Sequence, residues 1–581
     1  MPNIASQIRL MRMALGYWLS HKSLTAWLLS LFVILCTIIL VGLNLYLNKW
    51  QAEFYNYLQR YHFDGFLSTL LQFLLISCLY VIISGYQAYF RLVLHLRWRQ
   101  WLTEQYIDRW LHQHIYYYLN ILGTPIDNPA QRISEDAHLF VTHTLDLILG
   151  LLRHSITLVA FSAVLWQLSG QLKVSWFTYE LVIPGYLVWA AFLYAASGTW
   201  LTVKAGRPLI RQSAIQQATE AQFRAGLDRV KDHDECIALY GGESKERSSL
   251  MDQFQKVARN CLDIAKSTRT ITLFSAAYSQ VSIVFTFLVA APRYFNQEIQ
   301  LGQLFEISGA YWYVHSAFSY IIDSYNRIAL WKALVHRLQF FHTTMNQIGP
   351  LTLAPGRLIN EKTQSLSIAN LTVLSLQDQP LIQDLTLTIN PKERLLISGS
   401  TGSGKTTLFR TLAGIWPNFH GRIVKPSGRS MMFLPQSPYF PVDTLRNVLL
   451  YPHLSQSVSE ERLSNVLHHC KLPRLASQLD DIVDWGKVLS VGEQQCLSIS
   501  RAILHQPEWL FLDEATSSMD KTTEYQLYHY LRQSLPNTAL ISIGHRETLD
   551  EHHQRGLQIN PSGSWHLFEI SKPLRMGKRP S

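Results

Sequence analysis

The chain has 581 residues, of which 48% are hydrophobic and only 16% are charged, and its formal net charge is +10. That length argues against a single ordinary domain, and the small charged fraction argues against a fully soluble protein. The basic excess lies mostly beside apolar runs and forms no tract typical of nucleic-acid binding, so no nucleic-acid partner is expected. The six cysteines are scattered, which favours reduced packing cysteines over a disulfide framework or a metal site.

Residues 1–22 form an amphipathic segment that carries Arg9, Arg12 and Lys22. The segment has no short apolar core followed by a small-residue cleavage site, so we expect no removable signal peptide. We expect it to lie along the cytoplasmic surface before the first membrane span.

Six apolar runs predict membrane-spanning helices at residues 26–47, 66–89, 147–168, 177–201, 272–291 and 304–330. A span needs about 20 mostly apolar residues to cross roughly 30 Å of hydrocarbon. The third run carries Arg153 and His154, and the last carries Glu306, His315 and Asp323, so these two runs are less apolar than the others.

The loops between runs two and three and between runs four and five are long and rich in Lys and Arg, whereas the other loops hold few cations. The positive-inside rule therefore places both termini and both long loops in the cytoplasm. Regular apolar residues such as Trp98, Tyr106 and Phe223 favour helices over disordered loops. We expect spans two to five to continue as helices into the cytoplasm.

Residues 343–363 are rich in Gly, Pro and polar side chains, which predicts a linker. The linker would divide the chain into a membrane domain at residues 1–342 and a soluble α/β domain at residues 364–581.

The α/β domain contains a phosphate-binding loop. The apolar strand 395–397 is followed by a match to G-x-x-x-x-G-K-[ST] and then by a helix, which is the context that this loop requires. Lys405 is expected to reach the β and γ phosphates of ATP, and Thr406 to give its hydroxyl to Mg²⁺. The expected ATP-binding residues of the loop are Gly399, Ser400, Thr401, Gly402, Ser403, Gly404, Lys405, Thr406 and Thr407.

A second apolar strand, at residues 509–512, ends in Asp513 and Glu514. Asp513 is placed to hold Mg²⁺ through water, and Glu514 to polarise the attacking water as general base. A strand that ends in two acids is a weak signal alone, but it becomes strong when a phosphate-binding loop lies about 100 residues upstream.

The remaining motifs resemble those of ABC proteins, in family order. Residues 489–495, which read LSVGEQQ, resemble the signature motif, and residues 517–520 resemble the D-loop. Gln436 resembles the Q-loop glutamine, and His545 resembles the switch histidine. The chain therefore resembles an ABC transporter half-molecule, whose fold is a six-span α-helical membrane domain of exporter type fused to an α/β P-loop ATPase domain.

This resemblance implies a homodimer in a lipid bilayer, with two ATP molecules held between two ATP-binding domains. Ser490 and Gly492 would contact the γ-phosphate bound by the opposite chain, and Asp520 would join the same site. The resemblance implies Glu514, His545 and Gln436 as catalytic residues and Thr406, Gln436 and Asp513 as the Mg²⁺ ligands.

Some residues depart from the family pattern. Residues 371–380 have no aromatic side chain to stack on adenine, which predicts looser recognition of the base. Val491 and Glu493 replace the usual Gly and Gln of the signature, and Cys496 stands where Arg is common.

The membrane half narrows the resemblance. Residues 127–136, DNPAQRISED, look like the N-P-x-Q-R-I-x-x-D element of ABC subfamily D and its bacterial relatives, and residues 220–224 and 237–243 are similar to further segments of that group. Residues 183–189 look typical of the bacterial SbmA/BacA-like branch. This resemblance implies a multi-pass inner-membrane importer of bulky hydrophilic solutes such as antimicrobial peptides, bleomycin-like compounds or cobalamin, with its ATP-binding domain in the cytoplasm.

Such solutes need a wide polar cavity, and ionisable side chains at membrane depth usually face water or one another. Several candidates could instead lie at span ends or form interhelix pairs. The candidate lining residues are Arg153, His154, Glu180, Glu306, Tyr311, Trp312, Tyr313, His315, Tyr320, Asp323 and Tyr325.

Two other functions stay open. A laterally open apolar cavity would favour a lipid or fatty-acyl exporter. An ATP-binding membrane regulator or channel is the other possibility, and the intact Lys405, Glu514 and His545 argue against it.

Overall fold

The computed structural model describes residues 16–20, 23–123, 128–176, 179–351, 356–453 and 458–570. The chain divides into two compact units. The helical unit comprises Met1–Trp110 and Pro125–Thr344, and the sheet unit comprises Leu111–Thr124 and Met345–Ser581.

The described residues up to Leu351 form mainly long helices. In chain order the elements are α1 Ser23–Gln59, α2 Phe63–Leu111, α3 Ile115–Ile121, α4 Ala137–Ser169, β1 Gln171–Trp176, β2 Tyr179–Pro184, α5 Tyr186–Asp232, α6 Asp234–Tyr240, α7 Glu243–Phe295, α8 Leu301–Asp323 and α9 Tyr325–Leu351. The last of these helices runs into the predicted linker before it ends.

Among the described residues, four helices are long and apolar enough to cross a membrane: Ser23–Gln59, Phe63–Ile121, Pro129–Ser169 and Glu243–Phe295. They contain the predicted spans 26–47, 66–89, 147–168 and 272–291. Helix α2 has 49 residues, which corresponds to a length of about 70 Å and is far more than the hydrocarbon thickness. Helix α2 therefore continues without a break well past the predicted span 66–89.

The predicted fourth span, residues 177–201, is wrong at its start. Strands β1 and β2 pair antiparallel from Gln171↔Pro184 to Trp176↔Tyr179, and helix α5 begins only at Tyr186. The physical reason is an alternation of apolar and polar residues over 171–176, typical of a strand and hidden by the apolar run that follows. Glycines with positive φ, Gly170 and Gly185, flank the hairpin. Phe177 lies outside the described residues.

The described part of the motif, residues 128–136, closes around one buried carboxylate. Asn128 caps the short helical segment Pro129–Gln131, and a π-helical turn, Arg132–Asp136, leads into α4. The Asp136 side chain is 1% exposed and accepts hydrogen bonds from Arg132 Nη1 at 2.7 Å and from Arg337 Nε and Nη2 at 3.0 and 2.9 Å. Asp136 thereby ties the first long loop to α9.

We predict that Asp136→Asn lowers the stability of the helical unit by about 3 kcal/mol or more, because two arginines lose a buried counter-charge. Asp263→Asn is the matched control, since Asp263 pairs with Lys266 on the surface and such pairs contribute at most about 1 kcal/mol. Melting temperatures of the detergent-purified variants test this prediction. Equal shifts for the two variants would contradict it.

The sheet unit contains the remaining elements. In chain order they are β3 Arg357–Glu361, β4 Leu366–Leu374, β5 Pro380–Ile389, β6 Arg394–Gly399, α10 Lys405–Ala413, β7 Phe419–Pro426, β8 Met431–Leu434, β9 Asp443–Thr444, α11 Leu445–Leu450, α12 Glu460–His469, β10 Ile482–Val483, α13 Trp485–Val488, α14 Val491–His505, β11 Trp509–Asp513, α15 Lys521–Ser534, β12 Ala539–Ile543, β13 Arg555–Ile559 and β14 Trp565–Glu569.

The main sheet has six strands in the order β14-β13-β6-β12-β11-β8, and β13, β6, β12, β11 and β8 run parallel. Its central strands are buried on both faces: Leu396 belongs to the hydrophobic cluster with the helices α11–α15, whereas Leu395 and Ile397 belong to the cluster with β4 and β5. Because the strands are parallel, the segments after β6, β8, β11 and β12 meet at one edge of the sheet.

A segment of the loop between the second and third predicted spans belongs to the sheet unit. Residues Leu111–Thr124, which contain α3, cluster with it, and Ile121 packs against the hydrophobic cluster that includes Phe409 and Trp416. This part of the loop is therefore held in the sheet unit by direct apolar contact.

Candidate active site

The phosphate-binding loop joins β6 to α10 and depends on glycines. Gly399 has a φ of 145°, and a Cβ there would lie 2.2 Å from the carbonyl oxygen of Ile559. Gly404 has a φ of 92° and precedes the first residue of α10. The buried Ser403 Oγ has no hydrogen-bond partner among the described residues, which fits a loop built to receive phosphate oxygens.

The Lys405 side chain makes hydrogen bonds to the start of its own loop. Its Nζ donates to the carbonyl oxygens of Gly399 at 2.7 Å and Ser400 at 2.8 Å. Burial lowers the pKa of Lys405, and the carboxylates of Glu514 and Asp513 oppose that effect. The ammonium group is thus held within the loop where the phosphates are expected to bind.

The side-chain oxygens of Thr406 and Asp513 lie together beside the loop. Thr406 Oγ1 donates to Asp513 Oδ1 at 3.5 Å, and the Asp513 side chain is buried. Burial raises the pKa of Asp513, while the hydrogen bond from Thr406 opposes that shift. Mg²⁺ takes oxygen ligands, usually one or two from protein together with substrate phosphates and water, so this pair fits the ion.

Glu514 lies between the other two candidate catalytic side chains. Gln436 Nε2 donates to Glu514 Oε2 at 3.1 Å, and His545 Nε2 lies 3.6 Å from Glu514 Oε1. Glu514 has a φ of 48°, and its N–H donates to the carbonyl oxygen of Ile543 at 3.1 Å. The structure thus brings together Gln436, Glu514 and His545, which come from the ends of three different strands.

The signature residues begin a different helix, α14. Ser490 caps it, and Glu493 completes a capping box because its carboxylate accepts from Ser490 N at 3.0 Å. Glu493 also pairs with Arg474 at 2.6 Å. Glu493, in place of the usual Gln, therefore fixes the start of the helix where Ser490 and Gly492 lie.

The D-loop contacts the signature helix within the same chain. Gln495 Nε2 donates to Ser517 Oγ at 3.3 Å, and Gln495 Oε1 accepts from Ser518 N at 3.1 Å. Asp520 caps α15 by accepting from the N–H groups of Thr522 and Thr523, both at 2.9 Å. In this chain the Asp520 carboxylate thus caps the helix that follows it.

Sequence reasoning missed Arg546 and Glu524. Arg546, next to His545, donates to the D-loop carbonyl oxygens of Ser517 and Met519, both at 2.7 Å. The Glu524 side chain is 2% exposed, accepts from Thr516 Oγ1 at 2.7 Å and lies 3.6 Å from Arg546. The one available signal was an Arg directly after the switch histidine, and only the tertiary structure shows its target.

The structure shows the surroundings of two departures from the family pattern. Cys496 is buried in the hydrophobic core, and burial raises the pKa of its thiol to about 11, so it packs as a neutral side chain. In the stretch 371–380, the exposed large apolar side chain is that of Leu376, in the turn between β4 and β5.

The candidate cavity residues fall into different environments. Arg153, His154 and Tyr320 line one cavity in the helical unit, whereas Tyr311 is buried in the hydrophobic core and Trp312 is exposed. Tyr313 stacks on Phe161, and His315 lies beside Tyr278. The backbone carbonyl of Glu306 accepts from Asn48. The side chains of Glu180, Asp323 and Tyr325 lie outside the described part of the structure.

Comparisons with known proteins agree with this geometry. Residues 10–295 match the family of ABC transporter transmembrane region 2, and residues 382–517 match the ABC transporter family. The chain is 30% identical to the inner membrane ABC transporter ATP-binding protein YddA of Escherichia coli over 91% of this chain and 93% of that one. The chain belongs to the ABC transporter family. It is therefore a membrane transporter half-molecule whose ATPase is coupled to transport.

Two further likenesses bear on subgroup and fold. The chain is 27% identical to the mouse lysosomal cobalamin transporter ABCD4 over 97% of this chain and 96% of that one, which makes it a homologue of the subfamily D transporters. A solved bacterial Atm1-family ABC exporter with ATP bound superposes with a TM-score of 0.68 at 16% identity, covering 93% of this chain and 95% of that one. The predicted exporter-like fold is thereby confirmed.

We predict that Arg546→Gln lowers kcat for ATP hydrolysis about tenfold while KM for ATP changes little. The substitution removes charge-assisted hydrogen bonds to the D-loop, whose loss is of this order, and leaves the phosphate-binding loop intact. Steady-state ATPase kinetics test this prediction, with Arg429→Gln as the control because Arg429 pairs on the surface with Glu508. A KM effect alone, or equal kcat values for both variants, would contradict the positioning role.

Proposed function

We propose that two copies of this chain form an ATP-driven importer of bulky hydrophilic solutes in a bacterial inner membrane, with the ATP-binding domain in the cytoplasm. The observation that supports hydrolysis best is the position of Glu514 between Gln436 and His545. The same contacts argue against a regulator that only binds ATP, because such a protein has no need of a positioned base.

In this proposal the phosphate-binding loop and Lys405 bind the phosphates, and Thr406, Asp513 and Gln436 would hold Mg²⁺, which supplies charge stabilisation when bound. Glu514 accepts a proton from the attacking water, and Gln436 and His545 orient that carboxylate and the γ-phosphate. Ser490 and Gly492 of the second copy close the site, since the N-terminus of α14 presents backbone N–H groups that favour an anion.

The substrate class rests on the helical unit. One cavity of this unit presents arginine, histidine, glutamine and aspartate side chains, which suit a polar group of the solute better than an acyl chain. Likeness to a protein described as a cobalamin transporter adds support, as does the resemblance of residues 183–189 to the SbmA/BacA-like branch. We therefore place cobalamin and hydrophilic peptides ahead of lipids.

The test is accumulation of labelled cobalamin and a labelled antimicrobial peptide in bacteria that lack other uptake routes. Wild type is compared with Glu514→Gln at matched expression, and we expect ATP hydrolysis to fall about 100-fold or more when the general base is lost. Glu508→Gln is the matched control, because Glu508 makes a surface ion pair with Arg429.

We predict accumulation of at least one solute with wild type and with Glu508→Gln, and background levels with Glu514→Gln. Equal accumulation in all strains for both solutes would overturn the importer proposal. In that case the lipid or fatty-acyl exporter becomes the leading function, and it is tested by release of labelled lipid from inside-out vesicles.

A further inference from the structure

A polar cavity in the helical unit contains none of the residues assigned to ATP hydrolysis. Its volume is about 450 Å³, and side chains from α1, α2, α4, α8 and α9 line it. The charged residues among the described lining side chains are Arg91, Asp146, Arg153 and Arg327. Counting only these charged groups, three guanidinium groups against one carboxylate leave a net charge of +2.

Asp146 neutralises only part of that charge. It pairs with Arg91 from α2, and both side chains line the cavity. Arg327 donates to Ser324 Oγ at 3.1 Å and lies over the Tyr320 ring, 5.9 Å from its centroid. Among the described side chains, Arg153 and Arg327 have no carboxylate partner within ion-pair distance, so donor groups of both remain available to a ligand.

The walls that hold these arginines are fixed by other contacts. The Tyr320 ring stacks on His154 at 4.3 Å, and its hydroxyl donates to the carbonyl oxygens of Asp146 and Leu147 at 3.3 and 3.2 Å. Gln87 Nε2 donates to Thr37 Oγ1 at 2.7 Å, which ties α2 to α1. The cavity therefore has ordered walls that present cationic groups.

The position along the helices adds an energetic argument. Arg91 follows the apolar run 66–89 directly, and Arg153 lies within the run 147–168. The predicted topology therefore places the cavity toward the cytoplasmic side of the membrane region. Uncompensated cations there are costly and require an anionic partner or water. Guanidinium groups bind phosphate oxygens in a planar, two-pronged geometry that lysine cannot supply.

We propose that this cavity binds a phosphate group, with Arg153 and Arg327 as its main donors. Arg91, which is paired with Asp146, is a third donor. The phosphate belongs either to a lipid of the cytoplasmic leaflet or to a soluble solute. The soluble case rests on the proposed uptake function, whereas the lipid case stands without it.

The test uses the full-length protein in nanodiscs. In the first arm, trace spin-labelled phosphatidylglycerol is added to phosphatidylcholine discs, and its immobilised fraction is measured by electron paramagnetic resonance. In the second arm, binding of radiolabelled glycerol phosphate to discs of phosphatidylcholine alone is measured by equilibrium dialysis. Wild type is compared with Arg153→Gln/Arg327→Gln and with Arg97→Gln, an exposed charge on the same helix as Arg91.

We expect the double substitution to weaken binding in one arm about tenfold or more, the scale of lost charge-assisted hydrogen bonds, and Arg97→Gln to change it little. An effect in the first arm alone identifies the lipid, and saturable binding in the second arm identifies a soluble phosphate. No binding in either arm, or equal losses for the double variant and Arg97→Gln, overturns the proposal. Failure of solute uptake in cells would leave both binding results interpretable.

A second variant covers the case in which the double variant does not fold. Asp146→Asn removes the described carboxylate of the cavity and releases Arg91, so we expect tighter phosphate binding, by about tenfold, in the arm that shows binding. Weaker or unchanged binding with Asp146→Asn would overturn the proposal independently.

Discussion

The contact between Gln436, Glu514 and His545 is the interaction on which the ATP-binding unit depends. Each residue follows a different strand of one parallel sheet, so the strand order β6-β12-β11-β8 must be correct before the three side chains can meet. Packing in the sheet core stabilises this strand order. For example, Phe433 of β8 stacks on Phe511 of β11 with ring centroids 4.3 Å apart. Fold and chemistry are therefore specified by the same strand register.

Buried charges determine how several segments are arranged. Asp136 holds Arg132 and Arg337 in the helical unit, and Glu524 lies beneath Arg546 and the D-loop in the sheet unit. A buried carboxylate is tolerated only where donors surround it. Each of these acids therefore fixes two segments that are distant in sequence, and Arg546 adds a direct link from the switch histidine to the D-loop.

The sequence was sufficient for the features that short motifs encode. The phosphate-binding loop, Asp513 and Glu514 could be placed from spacing alone, because a strand, a turn and a helix start are local structures. Other features depend on distant contacts. Arg91, Arg153 and Arg327 lie on separate helices, so their shared cavity was not readable from the chain. The hairpin at 171–184 was missed because an apolar run adjoins it and conceals the change from a strand to a helical period.

One chain carries a phosphate-binding loop and a signature helix at two separate places, and the proposed site is complete only when two copies meet. The most direct test is a disulfide cross-link between differently tagged copies without native cysteines, one Ser400→Cys and one Val491→Cys, both also Glu514→Gln. Both substituted positions are exposed. The account predicts a cross-linked product that carries both tags and forms with MgATP but not with MgADP. Absence of that product, or its equal formation with either nucleotide, would contradict the two-copy site.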